Sequence, residues 1–208
     1  MAPFSTALTE YAAVLTGPGI ERGLLGPREA PRIWDRHLLN CAVVADPQIG
    51  LIPAGAKVAD VGSGAGLPGL VWAITRPDLT VVLIESLLRR ATFLTECVHK
   101  LGLSGRVQVL RARAESASQR PGTMDVVTAR AVAPLGTLAE WGVPLLVPGG
   151  WLVALKGESA TEEIERDREV LERLGLVDVR VERVGGGVVS PPTTVVLARR
   201  GTDPTTAE

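Results

Sequence analysis

Two cysteines, two histidines and an aromatic content of 3% mark what this 208-residue chain does without. Cys41 and Cys97 stand far apart in apolar surroundings, a pattern that excludes a disulfide framework or thiolate metal cluster. Both are expected in the core of a protein from a reducing compartment. With only His37 and His99 beside them, no dedicated metal site is expected. Few aromatics leave few platforms for stacking bases, and Trp34 and Trp72 are expected in the core. Lysine is scarce too, for 19 of the 22 basic residues are arginine. No apolar run approaches the roughly 20 residues of a membrane helix. No basic stretch followed by an apolar run opens the chain, so no secretory leader is visible and a soluble, cytoplasmic, monomeric protein is expected.

What is present is ordinary in bulk. Hydrophobic residues at 46% and charged residues at 22% exclude disorder as the default, and a net charge of −1 speaks neither for nor against nucleic acid. Arginines do cluster, at Arg28, Arg32 and Arg36, at Arg89 and Arg90, at Arg111 and Arg113, and at Arg199 and Arg200. A basic face on a neutral protein is therefore possible, although a single cluster reads first as solvated surface charge.

From about Pro31 onward, short β-branched runs alternate with helical patterns. Strands are expected at Lys57–Val61, Thr80–Ile84, Arg106–Arg111, Asp125–Thr128 and Trp151–Leu155, and then at Val177–Val184 and Thr193–Arg199. Between them lie helices ending near Thr75 and spanning Ser86–Leu101, Leu135–Leu146 and Thr161–Leu174. The alternation predicts an α/β protein with a mostly parallel, seven-stranded, Rossmann-like sheet. The last two strands lack a helix between them, so they should be antiparallel neighbours with one strand reversed. Helices at Ser5–Leu15 and Ala30–Val44 form a helical extension over residues 1–52, ahead of a cofactor-binding domain at 53–200. A polar tail follows at 201–208.

The strongest local signal is Asp60-Val-Gly-Ser-Gly-Ala-Gly-Leu-Pro-Gly69, between a buried strand and a helix. Gly62, Gly64 and Gly66 free the backbone to approach a ligand. Asp60, at the strand end, would repel a pyrophosphate and attract an ammonium group, which favours S-adenosylmethionine over a dinucleotide. The run from Gly64 to Gly69 also matches G-x-G-x-x-G, so an NAD(P)-dependent oxidoreductase stays open as an alternative. Glu85, just past the second strand, is spaced to accept ribose hydroxyls from either cofactor, or it is simply a helix-start charge. Ala114 and Glu115 follow the third strand, where an amide and a carboxylate could hold an adenine edge.

Six segments are similar to the RsmG/GidB family: WDRHLLN (34–40), DVGSGAGLPGL (60–70), LIESLLRRATFL (83–94), RARAE (111–115), ARAVAPL (129–135) and ALKG (154–157). The resemblance covers about Arg32 to Gly157. It implies the class I methyltransferase fold and methyl transfer from S-adenosylmethionine to N7 of a guanine in the decoding-region loop of 16S rRNA, on the small ribosomal subunit. By match, Gly62, Leu67, Ala114, Glu115 and Arg130 contact the cofactor, and Glu85 takes the ribose-facing acidic position. Where many members carry an Asp-Ser pair, this chain has Asn40-Cys41. Arg130 is the candidate catalytic residue, with an ion pair to Glu115 or Asp125 as its plainer role. Arg36, His37, Lys156 and Arg199 are candidates for RNA contact; for His37, bridging the cap to the domain competes, and for Lys156 a surface charge does. A cofactor-sensing RNA-binding module without catalysis is a further alternative.

Overall fold

A computed structural model describes residues 4–119 and 122–202. Its β-branched runs form one seven-stranded sheet of order β3-β2-β1-β4-β5-β7-β6. The strands are β1 (Lys57–Val61), β2 (Thr80–Ile84), β3 (Val107–Leu110), β4 (Met124–Arg130), β5 (Leu146–Lys156), β6 (Leu176–Val184) and β7 (Thr193–Arg200). The first five run parallel, and β7 is antiparallel to both β5 and β6, so it is the single reversed strand expected. Helices cover both faces, which is why the central strands read as continuous apolar runs.

Side chains alternate between two cores with the strand period of two. Val58, Val81, Leu83, Val126 and Val153 point to one face, against α1 (Phe4–Val14), α2 (Leu39–Val44), α3 (Gly69–Thr75) and α4 (Leu88–Lys100). Ala59, Val61, Val82, Val127 and Leu152 point to the other, against α5 (Leu135–Gly142) and α6 (Ala160–Arg173). The N-terminal helices thus share a core with the sheet: Tyr11, Leu15 and Leu38 are fully buried beside Trp72. Trp72 donates its indole N–H to the Cys41 carbonyl at 2.9 Å. Arg76 clamps the connection onward, donating to the carbonyls of Ala45, Ile52 and Pro53 while its fork holds Asp78.

Three expectations need correction. The helix read over Ala30–Val44 is broken into a 3-10 helix (Pro27–Arg32), a π-helix (Ile33–Leu38) and α2. The wider π turn re-phases the faces: Ile33, His37 and Leu38 turn inward and Trp34, expected in the core, is 37% exposed. The helix expected to reach Leu146 stops at Gly142, ahead of Pro144, and continues as a 3-10 turn. The strand expected from Trp151 begins at Leu146, so that Pro148-Gly149-Gly150 lies inside β5, where the register to β4 shifts between Met124 and Val126. The expected tail falls outside the described residues from position 203 on.

Candidate functional site

At the carboxyl end of β1 the chain turns through left-handed glycines: Gly62, Gly64 and Gly66 have φ of 68°, 57° and 102°. The Gly62 and Ser63 amides donate to the Ile84 carbonyl, which ties the loop to the end of β2. The loop is closely walled. A Cβ on Gly62 would stand 2.3 Å from Val132 Cγ2, and one on Gly66 would stand 2.7 Å from the Tyr11 hydroxyl oxygen. At Gly64 a Cβ would meet only the Gly62 carbonyl oxygen, at an ordinary contact distance of 3.8 Å. Leu67 is buried behind the loop. Tyr11 donates its hydroxyl to the Ala65 carbonyl at 2.7 Å, so α1 braces the loop from behind.

Two carboxylates organise the loop. Asp60 is fully buried, and its Oδ2 accepts the Gly69 amide at 3.0 Å. Its Oδ1 has no hydrogen-bond partner among the described residues. Burial pushes the Asp60 carboxyl up to about 7, against the Gly69 and Ser63 hydrogen bonds and with the help of the Glu85 charge. Glu85, 4% exposed, accepts the Gly64 amide on Oε2 and the Leu87 amide on Oε1. Glu85 therefore stitches the glycine loop to the end of β2. Ala114 and Glu115 open a short 3-10 helix just past β3, whose end lies beside Glu85 through the Glu85 amide and the Leu110 carbonyl.

Across β4 the chain forms a strap over residues 130–134. Arg130 makes neither expected ion pair; Asp125 instead accepts the Lys57 amide. The Arg130 guanidinium turns toward the cap, donating to His37 Nδ1 at 2.7 Å, to the Arg36 carbonyl at 3.4 Å and to Cys41 Sγ at 3.5 Å. His37 in turn meets Glu29 at 2.6 Å through Nε2. Ala131, next in the strap, holds φ at 51°, a conformation that residues bearing a Cβ rarely adopt. Val132 lies against Gly62, and Lys156 grips the far end of the strap through the Ala133 carbonyl at 2.8 Å.

Beyond the strap lies an open groove of about 1050 Å³, lined by Arg32, Arg36, Arg130, Lys156, Arg166 and Thr193 among others. Its walls come from the cap, the carboxyl ends of β4 and β5, and the start of β7. Asn40 locks one wall: its Oδ1 accepts the Thr193 hydroxyl at 2.6 Å, and its Nδ2 donates to the Asp35 and Arg36 carbonyls. The Asn40-Cys41 pair thus has a defined place, one residue on the groove and the other behind Arg130. The four RNA-contact candidates separate here. Arg36 is half exposed on the groove. His37 is buried as a bridge from cap to strap. Lys156 is 7% exposed and paired with Glu163 at 2.8 Å. Arg199 pairs in register with Trp151, whereas Thr194 pairs with Lys156. That puts Arg199 roughly 17 Å of strand from the carboxyl edge, bound to Asp178 at 2.7 Å.

A strand-end glycine loop, two acidic residues at β1 and β2, and a groove across β4 invite comparison with known proteins. The family model described as GidB, rRNA small subunit methyltransferase G, matches residues 5–189. The chain belongs to that family. Its relatives include a "Ribosomal RNA small subunit methyltransferase G" of Salinispora tropica, 58% identical, with 91% of this chain and 79% of the relative covered. One of the same description from Mycolicibacterium gilvum is 53% identical, covering 97% and 87%. Among solved structures, a putative S-adenosyl-L-methionine-dependent methyltransferase of Methanococcus maripaludis superposes with a TM-score of 0.64 at 14% identity, over 98% of this chain and 96% of that one. A SAM-dependent methyltransferase of Aquifex aeolicus gives 0.58 at 21%, over 85% and 99%. These likenesses carry the fold, which is the Rossmann-like class I methyltransferase fold.

The residues present suit a sulfonium cofactor with an ammonium group. A buried carboxylate oxygen at Asp60 lacks a partner, and the loop at Gly62 is too tight for a side chain. Sequence reasoning did not find Tyr11, Glu29, Asn40 or Val132 as parts of this site. Of these, Asn40 and Val132 lie in segments similar to the family, and Asn40 stood out as a departure from its pattern.

Proposed function

We propose that this protein transfers a methyl group from S-adenosylmethionine to N7 of a guanine in the decoding-region loop of 16S rRNA. It does so on the small ribosomal subunit, in the cytoplasm, as a monomer and without a metal ion. One observation carries the reading: Asp60 is buried at the glycine loop with one oxygen unpaired among the described residues, and Val132, which packs on Gly62 of that loop, lines the open groove beside Arg130. A cation on one side and a base on the other is the division of labour such a wall serves.

S-adenosylmethionine supplies an electrophilic methyl group. Guanine N7 offers a free lone pair and needs no deprotonation, so the chain need not furnish a general base. Positioning is its main contribution, and in favourable cases positioning is worth ~7–11 kcal/mol. Asp60 receives the ammonium, Glu85 the ribose hydroxyls, and Ala114 with Glu115 the adenine edge. The backbone at Gly62, Gly64, Gly66 and Leu67 shapes the seat, and Arg130 stands at its border with the groove. Arg36, on the groove wall, offers a fork to RNA phosphate. Lys156 serves the strap, and Arg199 serves the opposite end of the sheet.

The test is incubation of small subunits from cells lacking the gene with methyl-labelled donor, followed by mass spectrometry of 16S fragments. Label at guanine N7 is the expected result. Cofactor bound without label would leave only a sensing module, and binding of a nicotinamide nucleotide in its place would favour an oxidoreductase.

A further inference from the structure

We propose that His37, anchored by Glu29, is a positioning residue that holds the Arg130 guanidinium at the wall between donor seat and groove, and does so only as neutral imidazole. The inference rests on the functional reading above and extends it to the N-terminal cap, where the WDRHLLN segment marked His37 only as a candidate for RNA contact or a bridge to the domain.

Proton placement follows from donor chemistry. An arginine side chain can only donate. The 2.7 Å contact from Arg130 Nη2 therefore requires a bare Nδ1 on His37. The ring proton sits on Nε2, where Glu29 Oε2 accepts it at 2.6 Å. Glu29, on the 3-10 helix before His37, thus fixes the tautomer, and the tautomer fixes the acceptor that Arg130 needs. Adding a proton to Nδ1 would set N–H against N–H and cation against cation, and Arg130 would leave.

The groups facing His37 agree with this. Glu29 and Arg36 approach from the cap and Arg130 from β4, while Cys41 takes the other Arg130 nitrogen. Burial is the first cause that holds the His37 pKa below its ordinary 6.5, and Arg130 and Arg36 add to it while Glu29 opposes. Burial also pushes the Cys41 thiol up to about 11, so it stays neutral. Three cap atoms thus orient one guanidinium, and the strap that follows turns through the left-handed Ala131.

The test uses the full chain with His37→Leu, His37→Asn, Arg130→Ala and the His37→Leu/Arg130→Ala double variant. Asparagine places an oxygen acceptor near the position of Nδ1 but does not titrate. Readouts are kcat and KM on undermethylated small subunits across about pH 5.5–8.5, S-adenosylhomocysteine affinity by calorimetry, and thermal unfolding. His37→Leu should lower kcat about 10- to 100-fold, close to the loss in Arg130→Ala, and should weaken S-adenosylhomocysteine by the same factor as Arg130→Ala. The double variant should be no worse than Arg130→Ala alone, since His37 acts through Arg130. With donor saturating, so that Asp60 stays ionised throughout, His37→Asn should keep kcat within a few-fold but lose the acid limb expected in wild-type kcat on the acid side of an ordinary histidine. Additive losses in the double variant, or an acid limb that persists in His37→Asn, would overturn the inference. If His37→Leu fails to fold, the His37→Asn profile decides alone. A wild-type protein that transfers no methyl group would instead remove the functional reading, a result distinct from either.

Discussion

With Asp60 at the donor's ammonium, as proposed, donor binding becomes a proton-linked event. Its carboxyl stands at about 7 because it is fully buried with one oxygen unpaired. Near neutrality, then, about half the free protein carries it protonated. An ammonium in the seat stabilises only the ionised form, so binding must release the proton. If the ionised form alone binds, affinity scales with its fraction and falls about tenfold between pH 8 and pH 6, or about 1.4 kcal/mol. Calorimetry with S-adenosylhomocysteine in two buffers of different ionisation enthalpy would count the protons: about 0.9 released at pH 6 and about 0.1 at pH 8. Asp60→Asn should flatten both curves. It should also stabilise the free fold at high pH, because the folded pKa lies above the unfolded one. The cost of the buried charge therefore grows as pH rises from about 4 to 7 and is complete above that. Moving a carboxyl from its ordinary 3.8 to about 7 corresponds to about 4 kcal/mol, an upper bound on the gain at pH 8. Affinity that stays constant from pH 6 to 8, with no proton exchanged, would refute the placement of Asp60 at the ammonium.

Gly64→Val should weaken S-adenosylhomocysteine at least 100-fold while the chain stays folded, since φ of 57° costs a valine about 1–3 kcal/mol and its side chain would project into the open seat; unchanged affinity would count against the loop assignment. Tyr11→Phe should lower stability by about 1–2 kcal/mol in urea unfolding and loosen cofactor binding a few-fold. A variant as stable as wild type would show that the hydroxyl does not brace the loop. Lys156→Met should cost about 2–3 kcal/mol, because Glu163 and the Ala133 carbonyl lose a shared cation. It should leave the salt dependence of RNA binding unchanged, whereas Arg36→Ala should reduce that slope by about 0.7–0.9. A shallower slope for Lys156→Met at unchanged stability would return that residue to the RNA surface.

What the sequence made legible was local. The glycine loop, Asp60 and Glu85 lie within one strand-turn-helix-strand unit, where β-branched runs and glycines specify backbone path directly. Partners set by the fold were not legible: His37 and Arg130 stand 93 residues apart, and no period or spacing links them. Trp34 was expected in the core as a large apolar side chain, but the π-helix that starts at Ile33 turns Ile33, His37 and Leu38 inward and leaves Trp34 37% exposed. Arg199 is different, since its position followed from a feature the sequence did reveal. A strand reversed within a parallel sheet carries its carboxyl end to the edge where the others begin, so a basic residue there faces away from the site. The same geometry brings Thr193, at the start of β7, beside Lys156 at the end of β5, where it meets Asn40. Reversal of the last strand therefore does more than close the sheet. It delivers a backbone turn, not a charged strand end, to the groove, where Arg32 and Arg36 of the cap and Arg166 of α6 supply the exposed cations. Replacing Arg36 with alanine and His37 with leucine in one chain, which leaves the shared apolar core in place, should therefore cost RNA affinity and Arg130 alignment together, read as a shallower salt slope and weaker S-adenosylhomocysteine binding; a loss of only one would refute the coupling.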